Sequence, residues 1–372
     1  MINILCAVLF LGYVYEDSDS LIVDNDTLTI CGNHQYTLLI HIRNHAQLLV
    51  RSATGAPDST GWLGLSAPLI MINDSSIVNG SERGQKGGYM NSHPWGYGPG
   101  GGSAGGVSGG AGGGGAYGGS GGAGGDNYGG TGGVAYGDSA DTLIEMGSGG
   151  GAGRLSVVDG AGGNGGASVT LHGTKIEIDS SHLFVRGQRG YDGSVEAGGG
   201  GAGGGFLLWA DTVSLHHLTV SAVGGNGGDA SFGGGGGAGG GRIKILYNSV
   251  LDSSGTTLSV QGGNAGTGTY GNPQPGMPGS IYFGIQTGIH EIACGPQHIL
   301  AIQPNPSRGI IHLHTTCFPV RIHVYDCAGR VVRTIYVNTE NEQSDLRGLT
   351  PGVYFLKEQG TAKPISKLII TR

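Results

Sequence analysis

Three serines in the central glycine-rich stretch stand in the pattern that presents a catalytic nucleophile. Gly106-Val107-Ser108-Gly109-Gly110 satisfies G-x-S-x-G, and so do the windows centred on Ser103 and Ser120. A nucleophile elbow also requires a strand before the serine, a helix after it and a paired histidine, and the surrounding sequence indicates none of these. Where more than half the residues are glycine, such matches follow from composition alone. G-x-G-x-x-G recurs for the same reason, and no Walker pattern is present.

Other polar groups could hold a metal or cut a glycosidic bond. Gly121-Gly122-Ala123-Gly124-Gly125-Asp126-Asn127-Tyr128 fits the calcium nonapeptide G-G-x-G-x-D-x-U, but calcium there sits between tandem turns and no second copy abuts this one. Gly224 to Asp229 stops short, with Ser231 in the apolar slot. His34, His41 and His45 form a loose group. The adjacent pair His216-His217 would face opposite sides of a regular strand and cannot chelate one metal together. Glycoside hydrolysis needs two carboxyl groups converging on a groove, and Glu177, Asp179 and Asp211 show no such spacing. The expectation is therefore no catalytic residue, no cofactor and no metal. A carbohydrate-active enzyme remains the alternative, to be judged by whether Arg154, Lys175, Glu177, Arg186, Arg189 and Asp211 converge on one face.

The elements that must position these groups are unusual. Of 372 residues 82 are glycine, three times the usual share of roughly 7%. Glycine adds no side chain to a core and loses the most backbone entropy on folding. Residues 1–297 hold 10 Lys and Arg against 21 Asp and Glu, whereas residues 298–372 hold 9 against 5. An acidic body offers no basic stripe for a phosphate backbone, so nucleic acid is not an expected partner.

Residues 1–15 read as a signal peptide. Ile4 to Val14 is an apolar run ahead of acidic Glu16, Asp17 and Asp19, the size of a signal core and shorter than the roughly 18 residues of a membrane span. No span is expected in the mature chain. A buried first strand is the competing reading.

Residues 16–290 carry an internal repeat in which alternating apolar residues meet a turn and a second apolar pair follows. Copies are Ile70-Met-Ile72 with Asp74-Ser-Ser76 and Ile77-Val78, Ile176-Glu-Ile178 with Asp179-Ser-Ser181 and Leu183-Phe-Val185, and Ile243-Lys-Ile245 with Asp252-Ser-Ser254 and Leu258-Ser-Val260. Val213 to Val220 has the same shape without Asp-Ser-Ser. Period two with β-branched residues predicts strand, turn, strand, and units too poor to bury their own face must stack. The expected fold is all-β: a glycine-rich parallel β-solenoid body, with an antiparallel sandwich as alternative, followed by a small C-terminal β-sandwich. Val185, Val220 and Val260 are expected in register, as are Leu183, Leu218 and Leu258. Glycine blocks such as Gly198 to Gly205 and Gly233 to Gly241 separate the units.

Residues 84–153 form an insertion in which 23 of the 38 residues from 96 to 133 are glycine. It reads as a mobile loop or as side-by-side extended glycine helices, and collagen is excluded because the glycines lack a strict period of three. Trp95, Tyr97, Tyr117 and Tyr128 could cover such a layer or contact a ligand, with spacers and occasional anchors as the preferred reading. The order of the body is expected to rest on the apolar ladders, and a mobile insertion would be dispensable.

From about residue 298 glycine falls to normal levels and some seven short strands follow. Pro304-Asn305-Pro306 starts the segment. Tyr325-Asp326 with Gly329-Arg330 makes a turn, Gly352-Val353-Tyr354 enters a strand, and basic Lys367 begins the last strand. In that order these residues resemble the C-terminal (type A) sorting domain of type IX secretion cargo, and the body more loosely resembles glycine-rich β-solenoid-like surface proteins. The resemblance implies the type IX secretion machinery as partner and a secreted or outer-surface location. It says nothing about the body, whose repetitive exposed loops, suited to many weak contacts, lead to the expectation of a structural or adhesive role with surface polysaccharide or other cell-surface material as partner. Cys317 and Cys327, two of three cysteines close together in an exported chain, are the preferred disulfide pair.

Overall fold

The computed structural model describes residues 12–54, 60–90, 92–106, 109–154, 160–285, 301–314, 320–326, 330–337, 341–358 and 366–371. They divide into two compact units, residues 1–288 and 289–372. The chain is all-β, its sheets mostly parallel, with no helix among the described residues. None is therefore long and apolar enough to cross a membrane there. Residues 1–11 of the expected signal peptide lie outside the described residues. Tyr13–Glu16, at its end, pairs antiparallel with Ser20–Asp24. Of the cysteines, Cys6, Cys294, Cys317 and Cys327 also lie outside them, and Cys31 is a free thiol.

Alternation of apolar and polar residues sends the chain through two sheets on each pass. The longer sheet runs in the order Tyr13–Glu16, Ser20–Asp24, Leu39–Arg43, Leu69–Ile72, Ser168–Asp179, Gly205–His216, Arg242–Asp252, Ser280–Ile285. The shorter one stacks Thr27–Ile30, Gln47–Val50, Ile77–Asn79, His182–Phe184, Thr219–Ser221 and Thr257–Ser259, all parallel. Inward residues form ladders: Ile42, Ile72, Ile178 and Leu215 occupy one row and are at most 1% exposed. Between the sheets the chain turns in the left-handed region, at Asn25, Asn44, Ser75, Ser180, His217 and Gly255 on successive passes. Polar side chains that bond locally, or no side chain at all, lower the strain of that conformation.

The middle copy shifts the expected ladder by two residues. Leu183 pairs with Val220 and Val220 with Leu258, while Leu218 falls in the row of Ser181. The next row is Val185, Ala222 and Val260, since Val185 N–H donates to Ser221 O and Ala222 N–H to Ser259 O. His217, with φ 50°, performs the turn that Ser180 performs with φ 48°. A slip of two preserves the side-chain period, so Leu218 is still fully buried.

The described residues of the glycine insertion are ordered, and of its two readings they follow the side-by-side extended helices and not the mobile loop. Glycine segments lie side by side and bond through their backbones at every third residue, the repeat of an extended helix with three residues per turn. Ala197, Gly200 and Gly203 donate to Gly233, Gly236 and Gly239, each at 3.0 Å. Gly147, Gly150 and Gly153 donate antiparallel to Gly166, Gly163 and Gly160. The segment from Ala111 to Tyr117 lies at the centre of this array. Its N–H groups donate in rotation to Ala197, Ser103 and Gly122, then to Gly200, Gly100 and Gly119. Its carbonyls accept from Gly130, Gly236, Gly151, Gly133, Gly239 and Ser148. Six neighbouring segments therefore surround it, and each buried peptide group finds a partner. A side chain would prevent this approach: a Cβ on Gly199 would stand 2.0 Å from Gly113 O, and one on Gly113 2.1 Å from Thr131 O.

The tail has two antiparallel sheets. Ala301–Gln303, Ile310–His314 and Asn341–Asp345 form one; Val331–Val337, Val320–Tyr325, Gly352–Glu358 and Ser366–Ile370 form the other. Their inward residues make one cluster containing Ile311, Leu313, Ile322, Val324, Leu356 and Leu368.

Candidate functional site

In the tail the expected motif residues close the domain on itself. Asn305, between Pro304 and Pro306, donates its amide to Lys367 O at 2.7 Å and accepts from Ile369 N at 2.9 Å, tying the first residues to the last strand. Ser307 N–H donates to Ile369 O, and Thr371 N–H donates back to Ser307 O, so the seam continues. Asp326 closes its turn three times over. It accepts from Arg330 N at 3.0 Å and from Arg330 Nε at 2.9 Å, and its own N–H donates to Arg330 O. Gly329 lies outside the described residues. Tyr325 pairs with Val331 across that turn, with its ring edge-on to His323. Tyr354 is buried and donates its hydroxyl to Thr350 O at 2.7 Å; Gly352 and Val353 pair with Ile370 and Ile369.

In the body the register of the glycine helices fixes where their turns fall. Segments 196–204 and 233–241 leave the turns and enter long strands, while segments 119–125 and 147–153 run antiparallel to them. Gly106 and Gly109 and the turns at 126–129, 190–196, 228–233 and 266–272 therefore collect at one end of the array. They carry Tyr128, Tyr191, Phe232 and Tyr270, each between 46 and 56% exposed. Phe232 and Tyr270 stack at 5.3 Å with 13° between their planes. Gly106 N–H donates to Tyr128 O, and Gly198 N–H to Tyr191 O, so both rings stand on hydrogen-bonded backbone. Tyr89 and Trp95, also about half exposed, flank the neighbouring turn.

The same turns carry an ionic ladder. Arg189 Nη2 reaches Asp192 and Asp229, both at 2.6 Å; Asp192 Oδ1 accepts from Asp229 N, and Asp229 Oδ1 from Thr267 N and Oγ1. Bonding to Arg189 holds the Asp192 carboxyl below its ordinary range, and bonding to Thr267 does the same for Asp229. Glu196, 2% exposed, is a different case. Burial and the neighbouring Asp126 carboxyl push it up to about 7. Asp126, the acid of the nonapeptide, thus faces another acid. Among the described residues no group of three or more His, Cys, Asp or Glu is placed to hold a metal ion.

The four aromatic residues singled out in the insertion separate by role. Tyr117 is a buried anchor that accepts Glu145 N–H and lies under Arg242. Tyr97 stacks on His93 at 4.1 Å, while Trp95 and Tyr128 are exposed. Tyr191, Phe232 and Tyr270 were missed because each sits alone in sequence; their spacing by one repeat was the available signal. The charged residues of the enzyme alternative fall in different places. Lys175 bonds Glu177 at 2.7 Å on the long sheet, Asp211 bonds Asn248, Arg186 bonds Ser221, Arg189 belongs to the tip, and Arg154 N–H donates to Gly110 O. His216 bonds Ser214 and Ser254, whereas His217 faces Asp179 at 3.4 Å. His34 bonds Cys31 O and His41 bonds Asn73.

No curated protein and no solved structure matches the chain. Residues 301–371 match the family model of the secretion system C-terminal sorting domain, the span closed by Asn305 and the last strand. The tail is thus a type IX secretion C-terminal sorting domain, and the protein is secreted or held at the outer cell surface.

Proposed function

We propose that the body is a stacked β-solenoid that serves as a structural or adhesive surface module, brought outside by its sorting tail. The observation that carries this reading is the gathering of half-exposed aromatic rings on turns at one end of a hydrogen-bonded glycine array. A rigid base holds the turns, so contacts made there cost little ordering entropy. Aromatic rings present flat apolar faces to sugar rings and to other surface material, and several weak contacts on one body add through effective concentration. Contact in place of catalysis is supported by the separate bonding of the candidate acids and bases.

Two experiments test the proposal. Full-length protein should adhere to surface-exposed polysaccharide on whole cells, and Tyr128→Ala, Phe232→Ala and Tyr270→Ala combined should weaken adhesion while leaving the melting temperature unchanged. Equal adhesion by the triple variant would overturn the tip as contact surface. Removing residues 298–372 should retain the body in the periplasm; normal levels of the truncated chain at the surface or in the medium would contradict a need for the tail.

A further inference from the structure

We infer that the outer face of the long sheet carries a second site, a groove that takes a neutral linear saccharide chain. The groove exists because each long strand has a joint at mid-length. Ser168–Asp179 pairs with two separate strands, Trp62–Ser66 and Leu69–Ile72, and Ala67-Pro68 lies opposite Gly173-Thr174. In the next pass the register shifts between Ala210 and Thr212, leaving Asn248 and Ser249 opposite Asp211. These joints stack, so five successive passes line one depression of about 440 Å³. Strands about 4.8 Å apart make it about 19 Å long, at right angles to the strands and open along the stack.

Its lining is made of uncharged hydrogen-bonding groups around the half-buried His172 ring, with Trp209 and Tyr36, 7 and 4% exposed, as buried walls. His172 and Trp209 meet at 4.8 Å, and Ser66 Oγ is 3.3 Å from His172 Nδ1. Burial lowers the His172 pKa and favours the neutral ring. Tyr36 spends its hydroxyl on Glu16 at 2.6 Å, which leaves its ring as wall. Asp211 accepts the Asn248 amide at 2.5 Å, and both are exposed at the floor's far end. Asp211 is the one formally charged side chain among the lining residues. A site of this kind repels anions, offers no ion pair, and rewards a neutral ligand with many hydroxyls. An open trough crossing five passes fits a chain, not a compact metabolite. One carboxylate binds a sugar hydroxyl but does not supply the acid and base pair of hydrolysis. The groove is separated from the aromatic tip by the length of the glycine array, so the two sites are independent.

Calorimetry on the full chain tests this with neutral β-glucan and xylan oligosaccharides of increasing length, and with oligogalacturonate as the anionic arm. The neutral chains should bind, with affinity rising with length until the groove is filled and then levelling, and should change Trp209 fluorescence. Asp211→Ala and Asn248→Ala, both exposed and thus compatible with folding, should each weaken binding about tenfold. Gly348→Ala in the tail, where an added Cβ meets nothing within 4 Å, should leave it unchanged. Absence of binding by every neutral chain, affinity in both groove variants unchanged from the native chain, or tighter binding of the anionic chain would each overturn the assignment.

Discussion

The strand half and the glycine half of each pass are held together by opposite means. In the strands, Ile42, Ile72, Ile178 and Leu215 fill the space between two sheets, and stability comes from apolar surface removed from water. In the array the buried apolar side chains are little more than alanines and Tyr117, and order comes from peptide groups approaching closely enough to bond six neighbours. The first half is harmed by removing atoms and the second by adding them. A low-hydrophobicity sequence can therefore be ordered when its backbone is bare enough to be its own packing surface.

The strongest attempt to break this comparison is deletion of residues 96–133. If the array is structural, that deletion removes the central segment from Ala111 to Tyr117 together with three of its six neighbours and orphans the other three, around Ser148–Gly151, Ala197–Gly200 and Gly236–Gly239, and scanning calorimetry should show the body's cooperative transition lost. A near-unchanged transition would return the insertion to the status of a dispensable loop. Next comes Gly199→Ala, whose methyl would meet Gly113 O at 2.0 Å. Backbone on both sides gives little room, and a loss above about 4 kcal/mol is expected in urea unfolding. Leu218→Ala empties a fully buried site in the strand half and should cost about 2 to 5 kcal/mol. Were the leucine variant much worse than the glycine one, the two halves would not differ as stated.

Two smaller effects sharpen the contrast. Glu196 is an acid whose pKa in the folded chain is raised from 4.5 to about 7, so the folded state binds a proton that the unfolded chain releases between those values. The stabilising contribution is present below about pH 4.5 and is lost as pH rises through 7. Melting temperatures of the native chain and Glu196→Gln should therefore coincide near pH 4.5 and diverge toward pH 8, with the variant higher. A constant difference across that range would remove the acid pair from the account. Gly348→Ala in the tail serves as the control. An added Cβ there meets nothing within 4 Å, and the change in stability should stay within about 0.5 kcal/mol.

Much of this was legible in the residues. Alternation in Ile176-Glu-Ile178 and its counterparts determined strands with one buried face, because a period of two leaves one geometric choice. Asp-Ser-Ser marked the turn, because short polar side chains tolerate the left-handed conformation seen at Ser75 and Ser180. Asn305, Asp326-x-x-Gly-Arg330 and Tyr354 identified the tail, since their bonds are local or join the domain's two ends. Tertiary structure decided the rest. Register in the middle copy depended on His217 taking the turn, which shape alone did not separate from a two-residue slip. The glycine array, the gathering of Tyr128, Tyr191, Phe232 and Tyr270 on turns at one end, and the groove at Trp209 and Asp211 all arise between passes far apart in sequence. Glycine has no side chain to signal its partner, so which backbone it bonds is settled only when the whole stack closes around it.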